Sequence, residues 1–259
     1  MPHSIPLDDL RLLAVTGSDR ASFLQGQLTQ DVTTARPDNT VWAGWADAKG
    51  RLQFAGHLLV TRAGSEEALA LLVPAETADA LLRRLRLYIL RAKVQVTLLN
   101  TPITGLFGHR GASGAAQCAR LAGPDSRHIL LGPAADASRS APGERLRSVW
   151  QLADIRAGFP VICAATTGEF VPQMVNLDLL EGISFTKGCY TGQEIVARMK
   201  YLGKVKRRMF RFATTGSAPP AGAPLFASRG PVGQVVTSAP AETGSEFLAV
   251  VVLDDLPGP

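Results

Sequence analysis

A short segment at residues 187–194, KGCYTGQE, combines a thiol, an amine and two glycines. Cys189 lies two residues from Lys187 and just before a predicted helix, and both the ammonium group and the helix N-terminus favour a thiolate. Gly188 and Gly192 allow close backbone approach or unusual dihedral angles around the cysteine. The segment therefore predicts a functional thiol centre of Lys187 and Cys189. The alternative is an inert buried thiol in a capped turn.

The helix after the thiol is predicted from its end residues. Thr191 and Glu194 have the spacing of a capping box, in which each side chain accepts a hydrogen bond from an otherwise unpaired backbone N–H. Gly203 has the position of a residue that ends the helix in the left-handed conformation. We therefore expect a helix between Thr191 and Gly203.

Positive charge follows the thiol segment. The 259 residues include 27 Lys and Arg and 22 Asp and Glu, but the stretch 187–211 holds eight of the basic residues and one acidic residue. The rest of the chain is thus weakly acidic. The candidate basic patch consists of Arg198, Lys200, Lys204, Lys206, Arg207 and Arg208. This run is typical of a solvated helix face or of an anion site for a polycarboxylate or a phosphate backbone, and it lacks the interleaved aromatics of RNA-recognition motifs.

Composition narrows the class of protein. Hydrophobic residues make up 46% and charged residues 19% of the chain, which excludes a disordered tail protein or a collagen-like chain. No apolar run has the length of a membrane span, so we expect a cytoplasmic protein without membrane contact. The three cysteines form no CxxC motif and the four histidines have no ligand spacing, so no metal site is predicted.

Apolar periodicity predicts an α+β protein with a large first region, 1–202, and a small C-terminal β-barrel, 203–259. Helices are expected after a cap at Ser18 or Asp19 and from Pro74 onward, and 111–116 is expected to be a loop that enters a helix. The predicted strands of the first region are 52–60, 68–73, 94–99, 128–131 and 149–155. Those of the second region are 204–213, 217–224, 231–237 and 247–253.

Several segments together resemble one protein family. They are FLQGQLT at 23–29, DAKG at 47–50, AGFPVI at 157–162, FVPQMVNL at 170–177, GISF at 182–185 and KGCYTGQE at 187–194. These segments are similar to those of the YgfZ-type folate-binding proteins, which are relatives of the glycine cleavage T protein, an aminomethyltransferase. The likeness covers about residues 7–211, and KGCYTGQE is its most specific element.

The resemblance implies a GcvT-like fold of two interleaved α+β subdomains around a central folate cavity. It also implies binding of tetrahydrofolate or a derivative, and support of iron-sulfur cluster assembly or repair with iron-sulfur client or assembly proteins as partners, tRNA-thiolating enzymes among the clients. The cofactor-binding residues it suggests are Trp150, Arg156, Gln173, Asn176, Tyr190, Gln193 and Glu194. Trp150 is expected to stack on the folate rings and Arg156 to hold the glutamate tail, while Gln173 and Asn176 are pocket donors or turn residues.

The sequence departs from the pattern of its apparent relatives in three respects. Phe54 and Ala55 stand where the T protein has an adjacent Asp pair, and an apolar pair cannot orient or protonate a folate amine. Arg156 replaces a glutamate of many relatives, and Leu10 replaces a tryptophan. Ordinary aminomethyl transfer is therefore not expected, and whether the protein turns over a substrate stays open. The alternatives are a folate-dependent one-carbon transferase and a protein that binds tRNA directly through the basic run.

Overall fold

The computed structural model describes residues 4–108, 117–133, 143–228 and 230–255. Within these ranges the strands are β1 (Ser4–Pro6), β2 (Leu10–Thr16), β3 (Val41–Ala46), β4 (Leu52–Ala63), β5 (Glu66–Pro74), β6 (Gln95–Leu99), β7 (Ile103–Phe107), β8 (Gln117–Arg120), β9 (Arg127–Leu131), β10 (Arg207–Thr214), β11 (Pro224–Ala227), β12 (Gly230–Pro240) and β13 (Ser245–Val252). The helices are α1 (Arg20–Gln25), α2 (Ala75–Arg86), α3 (Gly143–Ala157) and α4 (Gln193–Tyr201). The loop predicted at 111–116 lies outside the described residues.

The central sheet is antiparallel and has the strand order β3-β4-β5-β2-β6. Its strands alternate between two cores, as the period of two requires. Leu13 and Val15 of β2 pack in a core with residues of α1 and α2, whereas Leu12 and Ala14 pack in a core with the second sheet. The predicted strands 52–60 and 68–73 and the helix after Pro74 are confirmed.

The second sheet has the order β1-β7-β9-β8 and shares its core with one face of the central sheet. The strand predicted at 149–155 is wrong, because these residues belong to α3. Trp150 of α3 packs with Ile103 and Ile129 of the second sheet, while Ile155 lies in a different core with Phe159. Since two sides of the helix are apolar, the sequence does not show the single apolar stripe of an ordinary surface helix.

The third sheet is formed by β10-β13-β12-β11. A closed barrel is not confirmed: among the described residues β10 and β11 are its edges and do not pair with each other. The strand predicted at 217–224 is wrong, because β11 begins only at Pro224. Met209 and Leu248 of this sheet pack in one core with Trp42 and Leu52 of the central sheet, so the third sheet docks on the first part of the chain.

The end of α4 also differs from the prediction. Leu202 caps the helix with φ −122°, and Gly203 is not among the described residues that have positive φ. The left-handed helix end expected at Gly203 is therefore wrong, and the chain continues from Leu202 toward β10 without a left-handed turn.

Candidate functional site

Lys187 fastens the thiol segment to the turn that follows α1. Its Nζ donates to the carbonyl oxygens of Gln25, Leu28 and Gln30 at 2.7, 2.6 and 3.2 Å. Carbonyls at a helix end lack intrahelical partners, so an ammonium group is a suitable donor to them. Burial lowers the pKa of Lys187 to about 8, with Asp31 opposing, and the amine is still mostly charged at neutral pH. The geometry makes Lys187 a positioning residue for the segment.

Cys189 is exposed, and a Cβ built on the neighbouring Gly188 would meet no atom within 4 Å. No hydrogen bond joins Cys189 to Lys187, both of which lie in the described part of the chain. The helix begins only at Gln193, so the thiol lies before the first turn, where the helix dipole has little effect. Accessibility, rather than pairing with the ammonium group, is thus the property that the structure gives this thiol.

The predicted capping box is wrong. The N-cap of α4 is Gly192, and no side chain caps the helix. The Thr191 hydroxyl instead lies 3.4 Å from the side-chain oxygen of Gln27, and Glu194 is exposed. Gly192 has φ +80°, and a Cβ there would lie 2.5 Å from the Asp47 carbonyl oxygen. Glycine is required at this position because the backbone is left-handed and another turn lies against it.

Tyr190 is a buried part of the loop. Its ring lies beneath the Lys187 ammonium group, which is 5.0 Å from the ring centroid, and burial raises the pKa of the phenol to about 12. The backbone N–H of Gln193 donates to the Tyr190 carbonyl at 3.1 Å. None of Tyr190, Gln193 and Glu194 lines either of the two cavities at Trp42 and Phe159, so their predicted contact with a cofactor gains no support from this geometry.

Gln173 and Asn176 act as turn residues that connect distant segments. The Gln173 amide donates to the Val196 carbonyl of α4 at 2.7 Å, and the Asn176 amide donates to the Met209 carbonyl of β10 at 2.8 Å. Asn176 itself is left-handed, with φ +61°. Through these two hydrogen bonds the turn holds α4 and β10 in place.

Two predicted cations are engaged by carboxylates. Arg208 forms a bidentate pair with Asp178 at 2.6 and 2.8 Å, so it does not belong to a free basic patch. Arg156 donates to Glu246 at 3.0 and 2.6 Å, and this contact lowers the pKa of the Glu246 carboxyl. The guanidinium group predicted to hold a folate tail is therefore occupied by a residue of β13.

A cavity of about 540 Å³ opens beside the thiol loop, and Trp42 and Phe159 line its aromatic side. The centroid of Trp42 lies 4.7 Å from that of Phe159 and 4.6 Å from that of His57. The same two aromatic residues also line a second, small cavity of about 60 Å³, to which Trp150 contributes as well. The indole N–H of Trp42 is buried and has no hydrogen-bond partner in the described structure.

Polar groups border the small cavity. Asp154 lines it and accepts a hydrogen bond at 2.7 Å from Arg127, which is 1% exposed and lies over the Trp150 ring at 4.6 Å. Burial raises the pKa of the Asp154 carboxyl, and the charge of Arg127 opposes this effect. His57 also lines the cavity, and burial lowers its pKa to about 3, so the imidazole is neutral at physiological pH.

Gln30 joins the thiol loop to the large cavity. Its carbonyl oxygen accepts from Lys187, its side chain donates to the carbonyl oxygen of Glu181, and both Gln30 and Glu181 line the cavity. The rim of the cavity and the loop that carries Cys189 are therefore fixed by one hydrogen-bonded cluster.

The residues that the sequence resemblance sets against the Asp pair of the T protein are buried and apolar. Phe54 and Ala55 are 1% and 6% exposed, and Ala55 contributes its methyl group to the wall of the small cavity. The carboxylate that does border this cavity, Asp154, comes from α3. A single carboxylate on a helix is a different arrangement from two adjacent Asp residues on a strand.

Sequence reasoning missed most of the cavity wall. Trp42, His57, Asp154 and Phe159 come from separate elements and only the tertiary structure brings them together. One local signal existed: Asp154 is an acidic residue between Ala153 and Ile155 in an apolar segment. A carboxyl group in such a position requires a buried partner, here Arg127.

No group of three or more His, Cys, Asp or Glu side chains within the described ranges is placed to hold a metal ion. Nor does any helix in those ranges have both the length and the apolar character that crossing a bilayer requires.

The fold is similar to that of a solved aminomethyltransferase. The crystal structure of glycine cleavage system aminomethyltransferase T from Bartonella henselae matches 97% of this chain and 79% of that chain, with a TM-score of 0.65 and 16% sequence identity. At this identity the likeness shows the fold alone, which is GcvT-like.

Sequence comparison gives the family. No family model matches the chain. The tRNA-modifying protein YgfZ of Colwellia psychrerythraea is 34% identical over 234 residues, which are 80% of this chain and 70% of the relative. The protein of the same name from Yersinia pseudotuberculosis is 35% identical over 245 residues, 84% of this chain and 72% of the relative. With this identity and coverage, and with a GcvT-like fold, the chain belongs to the YgfZ family.

Proposed function

We propose that the protein is a cytoplasmic tetrahydrofolate-binding factor for iron-sulfur cluster assembly or repair, with the exposed thiol of Cys189 as its working group. The observation that carries the proposal is the cavity lined by Trp42 and Phe159, because Gln30 at its rim accepts a hydrogen bond from Lys187 of the thiol loop. Folate bound in the cavity would thus influence, through this contact, the loop that presents the thiol.

The residues of the cavities fit a folate. Trp42 and Phe159 offer aromatic faces for flat rings, and the unpaired indole N–H of Trp42 is a donor for a ring or amide carbonyl. Asp154 lines the small cavity and offers carboxylate oxygens to N–H donors of the kind that a pterin carries. The large cavity has the size of an ordinary small-molecule site. Bound folate would supply a one-carbon carrier or a redox-active ring.

A one-carbon transferase is the second candidate, and the cavity wall argues against it. Ala55 presents a methyl group where aminomethyl transfer requires a carboxylate. Formation of methylenetetrahydrofolate from a methylamine donor would favour this candidate, and we expect none.

The iron-sulfur role is tested in cells that lack their own YgfZ-family protein. We expect wild-type protein and a Cys118→Ala variant, which alters a partly buried cysteine, to restore thio-modified nucleosides in tRNA made by an iron-sulfur enzyme. Cys189→Ala protein should accumulate to the same level without restoring them. Full rescue by Cys189→Ala would contradict the thiol-based function. The support for tRNA-modifying enzymes draws on the name of the relatives and on the motif likeness.

A further inference from the structure

We propose that the end of α4 and the segment that leads to β10 bind an unpaired segment of RNA. This α4 surface consists of one exposed tyrosine, Tyr201, and five exposed cations. The cations are Arg198, Lys200, Lys204, Lys206 and Arg207. In the proposed complex the cations contact phosphates and one base stacks on Tyr201.

The charge of the α4 surface is not neutralised within the described structure. None of its five cations forms an ion pair there, whereas the neighbouring Arg208 pairs with Asp178 and Arg211 lies 4.0 Å from Glu246. The sequence between residues 195 and 241 contains no Asp or Glu. A polyanion therefore meets attraction along the whole segment and no repulsion from its own residues.

Tyr201 supplies the stacking platform among these charges. It is 66% exposed, and its ring meets Phe185 edge to face with centroids 6.2 Å apart. The Lys200 ammonium group lies 5.2 Å from the Phe185 centroid. Phe185 thus supports both the tyrosine and a neighbouring cation, so the aromatic ring and the charge have a fixed relation to each other.

The cations are close enough together to follow a nucleic-acid backbone. The nine residue steps from Arg198 to Arg207 span at most about 30 Å even if the chain were fully extended. With phosphates spaced by several ångströms along a strand, this distance corresponds to a few nucleotides. The surface therefore fits a short single-stranded region, such as a loop or an end.

Side-chain chemistry favours RNA over an acidic protein. Three of the five cations are lysines, which are depleted in protein–protein interfaces but contact phosphates commonly. Within residues 198–207 the strongly exposed large apolar side chains are Tyr201 and Leu202, which are too few for the apolar centre of a protein interface. The proposal goes beyond the proposed function, because it requires neither folate nor Cys189.

The test uses full-length protein and two fluorescein-labelled probes, an unstructured RNA oligonucleotide and mixed tRNA, with binding read by anisotropy. Five phosphate contacts give a slope of log affinity against log salt of about −3.5, so affinity should fall about 100-fold between about 50 and 200 mM salt. The variant Lys204→Gln/Lys206→Gln/Arg207→Gln should reduce the magnitude of that slope by about 2. Tyr201→Leu should weaken binding about tenfold with an unchanged slope.

A matched variant removes three exposed charges elsewhere, Arg62→Gln/Arg83→Gln/Arg91→Gln, and should keep at least half of the affinity. Absence of RNA binding by the wild type at about 50 mM salt would overturn the proposal, as would an equal loss in this control. Polyglutamate serves as the acidic-polypeptide probe. If it displaced RNA at equal charge concentration and Tyr201→Leu had no effect, the surface would be one for acidic proteins. Folate binding is measured separately, so either proposal can fail alone.

Discussion

Replacement of Lys187 by methionine tests whether this residue positions the thiol loop. The change keeps an unbranched side chain of similar length, one atom shorter, and removes an ammonium group that donates to the carbonyls of Gln25, Leu28 and Gln30. Two of these bonds are short, and a charged donor contributes about 1.5 kcal/mol or more for each. Burial disfavours the ammonium group, as its lowered pKa of about 8 shows, but its removal leaves three carbonyl oxygens without their donor, so we expect a loss of about 2 to 3 kcal/mol in the free energy of unfolding.

The assay is urea unfolding followed by tryptophan fluorescence, with Lys200→Met as the matched control. Lys200 also lies over an aromatic ring but is exposed and donates no hydrogen bond in the described structure, so its replacement should change stability by less than about 0.5 kcal/mol. In a thermal scan the Lys187→Met protein should melt about 5 to 10 °C lower than the wild type. Equal unfolding midpoints for Lys187→Met and Lys200→Met would refute the positioning role of Lys187.

Three further predictions concern stability. The folded pKa of His57, about 3, lies below its ordinary value of 6.5, so its contribution to the stability of the native state is complete above pH 6.5 and is lost as the pH falls. Between pH 7 and 4.5 the free energy of unfolding in urea should fall by about 2.5 kcal/mol because of this group, and His57→Gln should remove that loss. An identical loss in the variant would contradict the assignment. Asp178→Asn should cost about 1 to 3 kcal/mol, because Arg208 is largely buried and loses its bidentate partner; an unchanged midpoint in urea would show that the pair contributes nothing. Gly192→Ala should lower the melting temperature more than Gly64→Ala, since both have positive φ but only the former has a backbone oxygen in the path of the new methyl group; equal shifts would exclude the steric cause.

The sequence was informative where a local pattern decides the structure. The apolar run at 52–60 and the proline at position 74 predict β4 and the start of α2, because strand burial and the N-terminal place of proline act within a few residues. The α3 helix was missed because Trp150 and Ile155 enter two different cores, which hides the helical period. The capping box failed because the Thr191 hydroxyl lies beside Gln27, a contact across 164 residues.

In the candidate site, too, local motifs identified residues whose roles depend on distant parts of the chain. The motif located Cys189 and Lys187, but the role of the lysine follows from carbonyl groups about 160 residues earlier in the chain. Likewise the polar residues Gln173 and Asn176 were recognised, and only the fold shows that they donate to the backbone of α4 and β10. The wall of the small cavity, which includes Trp42, has no sequence motif because its residues come from several separate elements.

Calorimetric titration with tetrahydrofolate, comparing Trp42→Phe with Trp45→Phe, tests the folate proposal most directly. Both tryptophans have a buried indole N–H without a partner in the described structure, but only Trp42 lines the two cavities. We expect the wild type and Trp45→Phe to bind with equal affinity and Trp42→Phe to bind about tenfold more weakly, as the loss of one hydrogen bond to the ligand predicts. Absence of binding to the wild type, or equal affinities for all three proteins, would contradict a folate site at Trp42.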